Sequence, residues 1–307
     1  MNTTKITNKH QLYLQDVSDF NLKWTLESGQ SFRWNRMEDA YYGVVEGQIL
    51  KIHQCNDNLI IYSSKEQDES SFRSHLIHYL DLQRELATIL SAVNVDAYIE
   101  RAVNKYWGMR LLNQELWETI ASFIISQNNN MARIRGIIRK LAERFGERLA
   151  FDGYIDYTFP TPQILADAGI DEIFLCGTGY RAKYLWNAAN NIANGVLVLD
   201  VLKQMKYEEA KQELIKLEGI GEKVADCISL FSLGHLTALP VDVWIKRIFE
   251  RIYLQKRASS REIQEFARNY FGQYVGYAQQ YLFHYAQNQP NWADDEHLAL
   301  SKKNNYQ

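Results

Sequence analysis

The feature that most limits what this 307-residue chain can fold into is a change of hydrophobic period near residue 95. Before it, apolar residues come in short aromatic and β-branched runs at 19–26, 30–36, 41–45, 48–54 and 58–63, parted by Ser28-Gly29, Glu46-Gly47 and Asn56-Asp57. Such runs read as strands, and connections this short imply an antiparallel meander. Helical patterns follow at about 70–80 and 83–91. Beyond 95 the period is helical throughout: Leu116, Ile120, Phe123 and Ile124 share one face, as do Ile134, Ile137, Ile138, Leu141 and Phe145. Ile245, Ile248, Phe249 and Ile252 repeat the pattern, and so do Ala278, Tyr281, Leu282 and Tyr285. The expected architecture is therefore α+β. An antiparallel sheet domain with flanking helices spans 1–95, a helical domain spans 96–287, and a polar C-terminal tail without clear period spans 288–307.

Composition narrows the classes of function. No run approaches the roughly 18 apolar residues of a membrane helix, and the N-terminal stretch is too polar for a secretory signal. Cys55, Cys176 and Cys227 stand far apart, in no C-x-x-C pair and no four-cysteine set. That spacing argues for a reducing compartment, without structural zinc or an iron–sulfur cluster. A net charge of −3 argues, taken alone, against nucleic acid. Distribution matters more than the sum. Arg133, Arg135, Arg139, Lys140, Arg144 and Arg148 crowd a stretch holding only Glu143 and Glu147, while acidic residues collect elsewhere, as at Asp294–Glu296. A solvated helix face accounts for such a run equally well.

The sharpest local signal is Leu217-Glu218-Gly219-Ile220-Gly221-Glu222-Lys223-Val224-Ala225-Asp226-Cys227. A helical stretch over 207–217 stops at Gly-Ile-Gly, and a second helix begins near Lys223, giving a hairpin over about 207–233. Gly219 and Gly221 permit a tight turn with positive φ and close approach of another backbone. The second helix opens with unsatisfied N–H groups and partial positive charge, a phosphate site that needs no basic side chain. A plain structural hairpin fits the glycines too. Lys223 adds chemistry. An ordinary lysine is only about 0.1% neutral near pH 7.4, and a nucleophilic amine must lose its proton. The first turn of a helix disfavours a cation, and burial works the same way. Further on, Leu239-Pro240-Val241-Asp242-Val243-Trp244 places Asp242 as the natural N-cap of an amphipathic helix. A carboxylate held by helix N–H groups is expected to stay ionised at neutral pH, where it can stabilise an oxocarbenium-like sugar.

These two segments together resemble the helix–hairpin–helix DNA glycosylases that carry a Gly/Pro-rich loop and an aspartate, and within them the 8-oxoguanine DNA glycosylase/AP lyases. L-E-S-G-Q-S-F-R-W at 26–34, S-Q-N-N-N-M-A-R-I at 126–134, G-T-G-Y-R-A-K-Y at 177–184 and G-Y-A-Q-Q-Y-L-F at 276–283 follow in the family's order. The likeness spans about 20–287. It implies that Lys223 is the nucleophile of both base removal and strand nicking, with Asp242 the essential aspartate. It implies a base pocket of Gly29, Cys227, Gln279 and Phe283. In that pocket the Gly29 carbonyl accepts the N7–H of an oxidised guanine, Gln279 meets the Watson–Crick edge, and Phe283 and Cys227 sandwich the ring. The i,i+4 spacing of Gln279 and Phe283, and of Lys223 and Cys227, is compatible with this. It implies too that Asn128 fills the vacated space in the duplex, that Arg133 and Arg181 read the orphaned cytosine, and that Tyr180 wedges beside it. Trp244 departs from the pattern, standing where many eukaryotic members have a phosphate-contacting histidine, and puts that contact in doubt.

The implied partner is double-stranded DNA containing oxidised guanine, with no cofactor, metal or membrane, and the chain is expected to act as a monomer. It is expected in the cytoplasm, at the nucleoid, of a bacterium, or in a eukaryotic nucleus. Two other readings stand beside this one: a glycosylase of the same superfamily for another damaged base, and a non-catalytic helical-hairpin DNA-binding module, which needs the glycines but neither Lys223 nor Asp242.

Overall fold

The structure, a computed structural model, describes residues 10–293. Five antiparallel strands, β1 (Gln11–Leu14), β2 (Asn35–Met37), β3 (Ala40–Val45), β4 (Gln48–Cys55) and β5 (Asn58–Ser63), lie in the order β1-β5-β4-β3-β2. Val45 pairs with Gln48 across a two-residue turn whose residues, Glu46 and Gly47, both have positive φ, the conformation that matches strand twist. Leu50, Ile52, Leu59 and Ile61 pack beneath α2 (Glu69–Tyr79) through Phe72 and Leu76.

The sheet departs from the expectation in three places. Gln11–Leu14, inside the polar N-terminal stretch, is a strand that pairs with β5. Residues 19–26 are not a strand: Asn21 accepts a hydrogen bond from the Trp24 N–H and starts the short helix α1 (Leu22–Glu27). Most of 30–36 is irregular, with pairing only from Asn35.

Twelve further α-helices lie among the described residues: α3 (Leu86–Val93), α4 (Ala97–Lys105), α5 (Leu116–Ser126), α6 (Met131–Phe145), α7 (Pro162–Ile173), α8 (Arg181–Ala193), α9 (Leu199–Leu202), α10 (Tyr207–Ile215), α11 (Glu222–Phe231), α12 (Val243–Ile248), α13 (Ser260–Phe271) and α14 (Val275–Gln287). Ile120, Ile124, Leu141, Leu185, Leu214, Ile228, Ile245 and Leu282 form their common core, which also takes in α3 and Phe32 from the chain before residue 95. Buried Arg110 ties the two halves together. It donates to the carbonyls of Asp81 and Arg84 and pairs with Asp19 at 2.7 Å, while Tyr277 donates to Asp81 at 2.6 Å.

The region beyond 95 is not helical throughout. A β-hairpin, β6 (Arg148–Phe151) and β7 (Tyr154–Tyr157), turns at Asp152-Gly153 with φ of 49° and 78°. It covers the second face of the sheet: Leu149, Phe151 and Tyr154 pack on Ala40, Tyr42, Val44 and Ile49. This cover is why every residue of β3 is buried. Of the expected tail, Asp294 onward lies outside the described residues. Before it, Trp292 stands against Trp244, with ring centroids 6.3 Å apart.

Candidate active site

Helices α10 and α11 meet at the Gly-Ile-Gly turn, where the two glycines differ. Gly219 has φ +86°, and a Cβ on it would lie 2.2 Å from a carbon of the Tyr184 ring, so both backbone and space demand glycine. Gly221 does not need positive φ, contrary to expectation. It is the extended N-cap of α11 at φ −93°, with open space where a side chain would stand. Its bareness keeps the first turn of α11 approachable, where the leading N–H groups lack helical partners.

A cleft of about 950 Å³ opens beside that turn. Gly29, Asn128, Tyr180, Gly221, Lys223, Cys227, Asp242, Gln279 and Phe283 all reach it, from six separate parts of the chain. Lys223, the second residue of α11, brings its Nζ 5.7 Å from the centroid of the Phe123 ring. Phe123 stacks on Phe231 at 5.6 Å and meets Phe32 edge-on at 5.6 Å. The amine thus stands against an apolar wall that keeps water off one side. None of these phenylalanines was expected at the site, because an apolar residue on a buried helix face reads as core.

Asp242 caps α12, its Oδ1 accepting from the Ile245 N–H at 2.8 Å. The cap was expected to hold the carboxyl in its ionised form. Burial works against the cap and raises the carboxyl above its ordinary value, while the helix N–H groups and the neighbouring Lys223 ammonium pull it down. Cys227, one turn after Lys223, is buried, and burial pushes its thiol up to about 11 against the pull of that ammonium. It is therefore an uncharged wall of the cleft. With Cys176 also buried and Cys55 exposed, one thiol per folded chain should react rapidly with Ellman's reagent at pH 8, and all three after denaturation. A second fast thiol would contradict this account of Cys227.

The opposite wall comes from α14 and the turn after α1. Gln279 is 5% exposed, and its Oε1 has no hydrogen-bond partner among the described residues. An unpartnered buried amide oxygen is costly unless something else supplies a donor. Gly29 has φ +84°, and a Cβ on it would touch Phe283 Cε1 at 3.5 Å. Among the described residues its carbonyl accepts nothing.

The three asparagines between α5 and α6 do different work. Asn129 donates to the Ile125 carbonyl at 3.1 Å, and Asn130 caps α6 by accepting from the Arg133 N–H at 3.0 Å. Asn128 is exposed at φ +47°. Behind it, Arg181 is 3% exposed and already engaged. Its guanidinium donates to the carbonyls of Gln127 and Asn128, the latter at 3.0 Å, and to that of Thr178 at 3.3 Å. Tyr180 is 56% exposed, with the Arg181 guanidinium 4.4 Å over its ring and Tyr184 edge-on at 5.9 Å. Arg133 is exposed on the first turn of α6 and does not line the cleft. The basic run after it is partly internal: Arg135 donates to the Trp34 carbonyl, Arg139 pairs with Glu143 at 2.7 Å, and Arg144 pairs with Glu172.

Residues 13–120 match the family described as the N-terminal domain of 8-oxoguanine DNA glycosylase, and residues 121–273 match the HhH-GPD superfamily of base excision DNA repair proteins. The N-glycosylase/DNA lyase of Saccharomyces cerevisiae is 30% identical over 86% of this chain and 74% of its own length. A probable N-glycosylase/DNA lyase of Methanothermobacter thermautotrophicus is 28% identical over 88% of this chain and 94% of its own length. Among solved structures, the Clostridium acetobutylicum 8-oxoguanine glycosylase/lyase, in complex with double-stranded DNA containing cytosine opposite 8-oxoguanine, superimposes with a TM-score of 0.86. It is 35% identical, over 91% of this chain and 96% of that one.

Proposed function

The chain belongs to the HhH-GPD superfamily of base excision DNA repair proteins, with the 8-oxoguanine DNA glycosylase N-terminal domain in front, and from that premise we propose that it removes 8-oxoguanine from duplex DNA and nicks the strand. The observation that carries this reading is one cleft shared by an amine, a carboxyl and two unpartnered acceptors: Lys223, Asp242, the Gln279 oxygen and the Gly29 carbonyl.

Chemistry at a nucleotide's C1′ requires that the nucleotide leave the stack. The flipped base enters between Cys227 and Phe283, with Gln279 at its Watson–Crick edge. At N7 the oxidised base carries a hydrogen that guanine lacks. The Gly29 carbonyl accepts it, whereas guanine's N7 would face that carbonyl as a second acceptor. The neutral Lys223 amine attacks C1′ and the C1′–N9 bond breaks, its electron pair leaving with the base. Ionised Asp242 stabilises the positive charge that develops on the sugar. The attached nitrogen gives one proton to the departing base; the C1′–O4′ bond then breaks and the second proton passes to O4′, leaving a Schiff base. Removal of a C2′ proton next expels the 3′ phosphate and cuts the strand.

On the other strand, Asn128 occupies the vacated space and Tyr180 wedges beside it. Arg133 is the residue free to read the orphaned base. Cytosine's O2 and N3 accept from a guanidinium, while adenine's amino group opposes it. Arg181 serves this step by holding the Gln127 and Asn128 carbonyls, which with Thr178 take four of its five N–H donors and leave one Nη1 N–H for the cytosine.

Single-turnover excision from four duplexes, with 8-oxoguanine opposite each base, tests the reading. Cytosine should be preferred to adenine by roughly tenfold to a hundredfold, as for one unpaired polar group in a desolvated site. Arg133→Ala should remove the preference, mainly by slowing the cytosine duplex, without changing the melting temperature. Arg181→Ala should lower the melting temperature as well. Equal rates on all four parent duplexes would show that these arginines contact only phosphates, and incision confined to alkylated bases would refute the substrate.

A further inference from the structure

Two consecutive glutamines of α14 both reach the cleft but differ in their hydrogen bonds. Gln279 ends in the cleft with its oxygen unpartnered. Gln280 is 2% exposed, and its Nε2 donates at 2.9 Å to the Ser28 carbonyl, 252 residues away in sequence. On the other side of Gly29, the Gln30 carbonyl accepts from Gln114 Nε2 at 2.8 Å. The Gln30 side chain is itself locked. Its Nε2 donates to the carbonyls of Thr25 at 2.9 Å and Arg110 at 2.8 Å, and its Oε1 accepts from the Leu112 N–H at 2.8 Å. The carbonyls flanking Gly29 are therefore both held, and the one between them accepts nothing among the described residues.

Gly29, at φ +84°, has no side chain to resist rotation of the peptide planes beside it. What aims its carbonyl is the grip on its neighbours. On the Gln30 side that grip comes from the segment before α5. On the Ser28 side it comes from the same helix that carries Gln279 and Phe283. Gln280 thus sets the Gly29 acceptor relative to the residues that meet the rest of the base. A hydrogen bond weakens steeply once misaligned, so a rotation of this peptide would cost discrimination without touching Lys223 or Asp242.

We propose that Gln280 is a positioning residue for lesion selection: its hydrogen bond to Ser28 holds the Gly29 carbonyl in line with the purine N7 position and so allows an oxidised base to be told from its parent. The inference rests on the reading of Gly29 as the N7–H acceptor. Without the donor, the buried Ser28 carbonyl is unsatisfied and the Ser28–Gly29 peptide turns to find another partner.

The test compares two reactions of the same enzyme. Excision of 8-oxoguanine opposite cytosine needs the Gly29 carbonyl. Nicking of a preformed abasic site opposite cytosine needs Lys223 but has no base to recognise. Gln280→Leu keeps the volume and removes the donor. It should slow single-turnover excision about tenfold or more, the loss of one aligned hydrogen bond, and leave abasic-site nicking within about twofold. Gln280→Glu replaces the donor with an acceptor that donates again when protonated. Its excision rate relative to the parent should recover as the pH falls, and this arm decides the matter should the leucine variant fail to fold. Equal loss of both reactions would make Gln280 an ordinary folding residue, and loss of neither would mean that Gly29 is aimed without it. Either result overturns the proposal. A parent that excises guanine as fast as 8-oxoguanine removes the Gly29 reading and this inference together. A discriminating parent with an equally discriminating Gln280→Leu variant sinks the inference alone.

Discussion

Lys223→Gln is expected to abolish both base removal and covalent trapping by borohydride, while duplex binding stays within several-fold of the parent. The amide of glutamine has no nucleophilic electron pair to give C1′, and no imine forms for borohydride to reduce. Loss of a nucleophile commonly costs on the order of 10⁴-fold or more, so excision should fall to background. Binding should survive because the hairpin's grip on phosphate is assigned to the leading N–H groups of α11, beside bare Gly221, and not to the lysine. The cleft keeps its shape: Phe123, Phe231 and Phe32 pack on one another independently of the amine. Normal excision by this variant would end the Schiff-base mechanism. A matching loss of binding would mean that the variant had lost the hairpin and not only the nucleophile.

Asp242→Asn should slow base release by roughly 10²- to 10³-fold, the usual cost of removing one preorganised charge from a transition state. The pH dependence follows from the environment of the carboxyl. Burial raises it above its ordinary value, and only the ionised form stabilises the sugar cation. Parent excision should accordingly fall on the acid side at a pH higher than that of an exposed aspartate. The stability effect has the opposite sign. A carboxyl whose folded value is raised binds its proton more tightly in the native state than in the unfolded one. Native stability is then fully present at low pH and declines as the pH rises through the folded value. Asparagine caps a helix about as well as aspartate and carries no charge to desolvate. At neutral pH the variant should therefore melt higher than the parent, and the difference should shrink on acidification. Excision within a few-fold of the parent would reduce Asp242 to a helix cap. A lower melting temperature at neutral pH would show that the charge stabilises the fold.

The fate of individual residues shows how far linear pattern carries. Asp242 as a cap was legible because capping needs only a short polar side chain before an amphipathic run, and the Ile245 N–H is three residues away. Its raised carboxyl was not legible, because burial is imposed by elements distant in sequence. The strands at 41–45, 48–54 and 58–63 were legible from alternation and turn residues. Residues 19–26 misled because aromatic content suggested a strand while Asn21 supplied a helix start. The β6–β7 hairpin was missed although Asp152-Gly153 is a hairpin dipeptide, since four-residue strands between helices give too few positions for a period to register. Phe123 read as core and is core, yet its ring also stands against the Lys223 amine.

What the sequence determined by itself is what local chemistry and spacing encode: the switch from sheet to helix, the glycine hairpin, a lysine at a helix start, an aspartate at a helix cap, and the family to which these belong. Tertiary structure alone decided the relations between distant residues. It brought Gly29, Lys223, Asp242 and Gln279 to one cleft, set the Gln280 amide beside them against the Ser28 carbonyl, and left Arg133 exposed while committing Arg181 to the carbonyls of the asparagine loop. The physical reason is that a period or a cap is a property of neighbouring residues. Desolvation and a long-range hydrogen bond depend on which surfaces pack together, and that is settled only when the whole chain has folded.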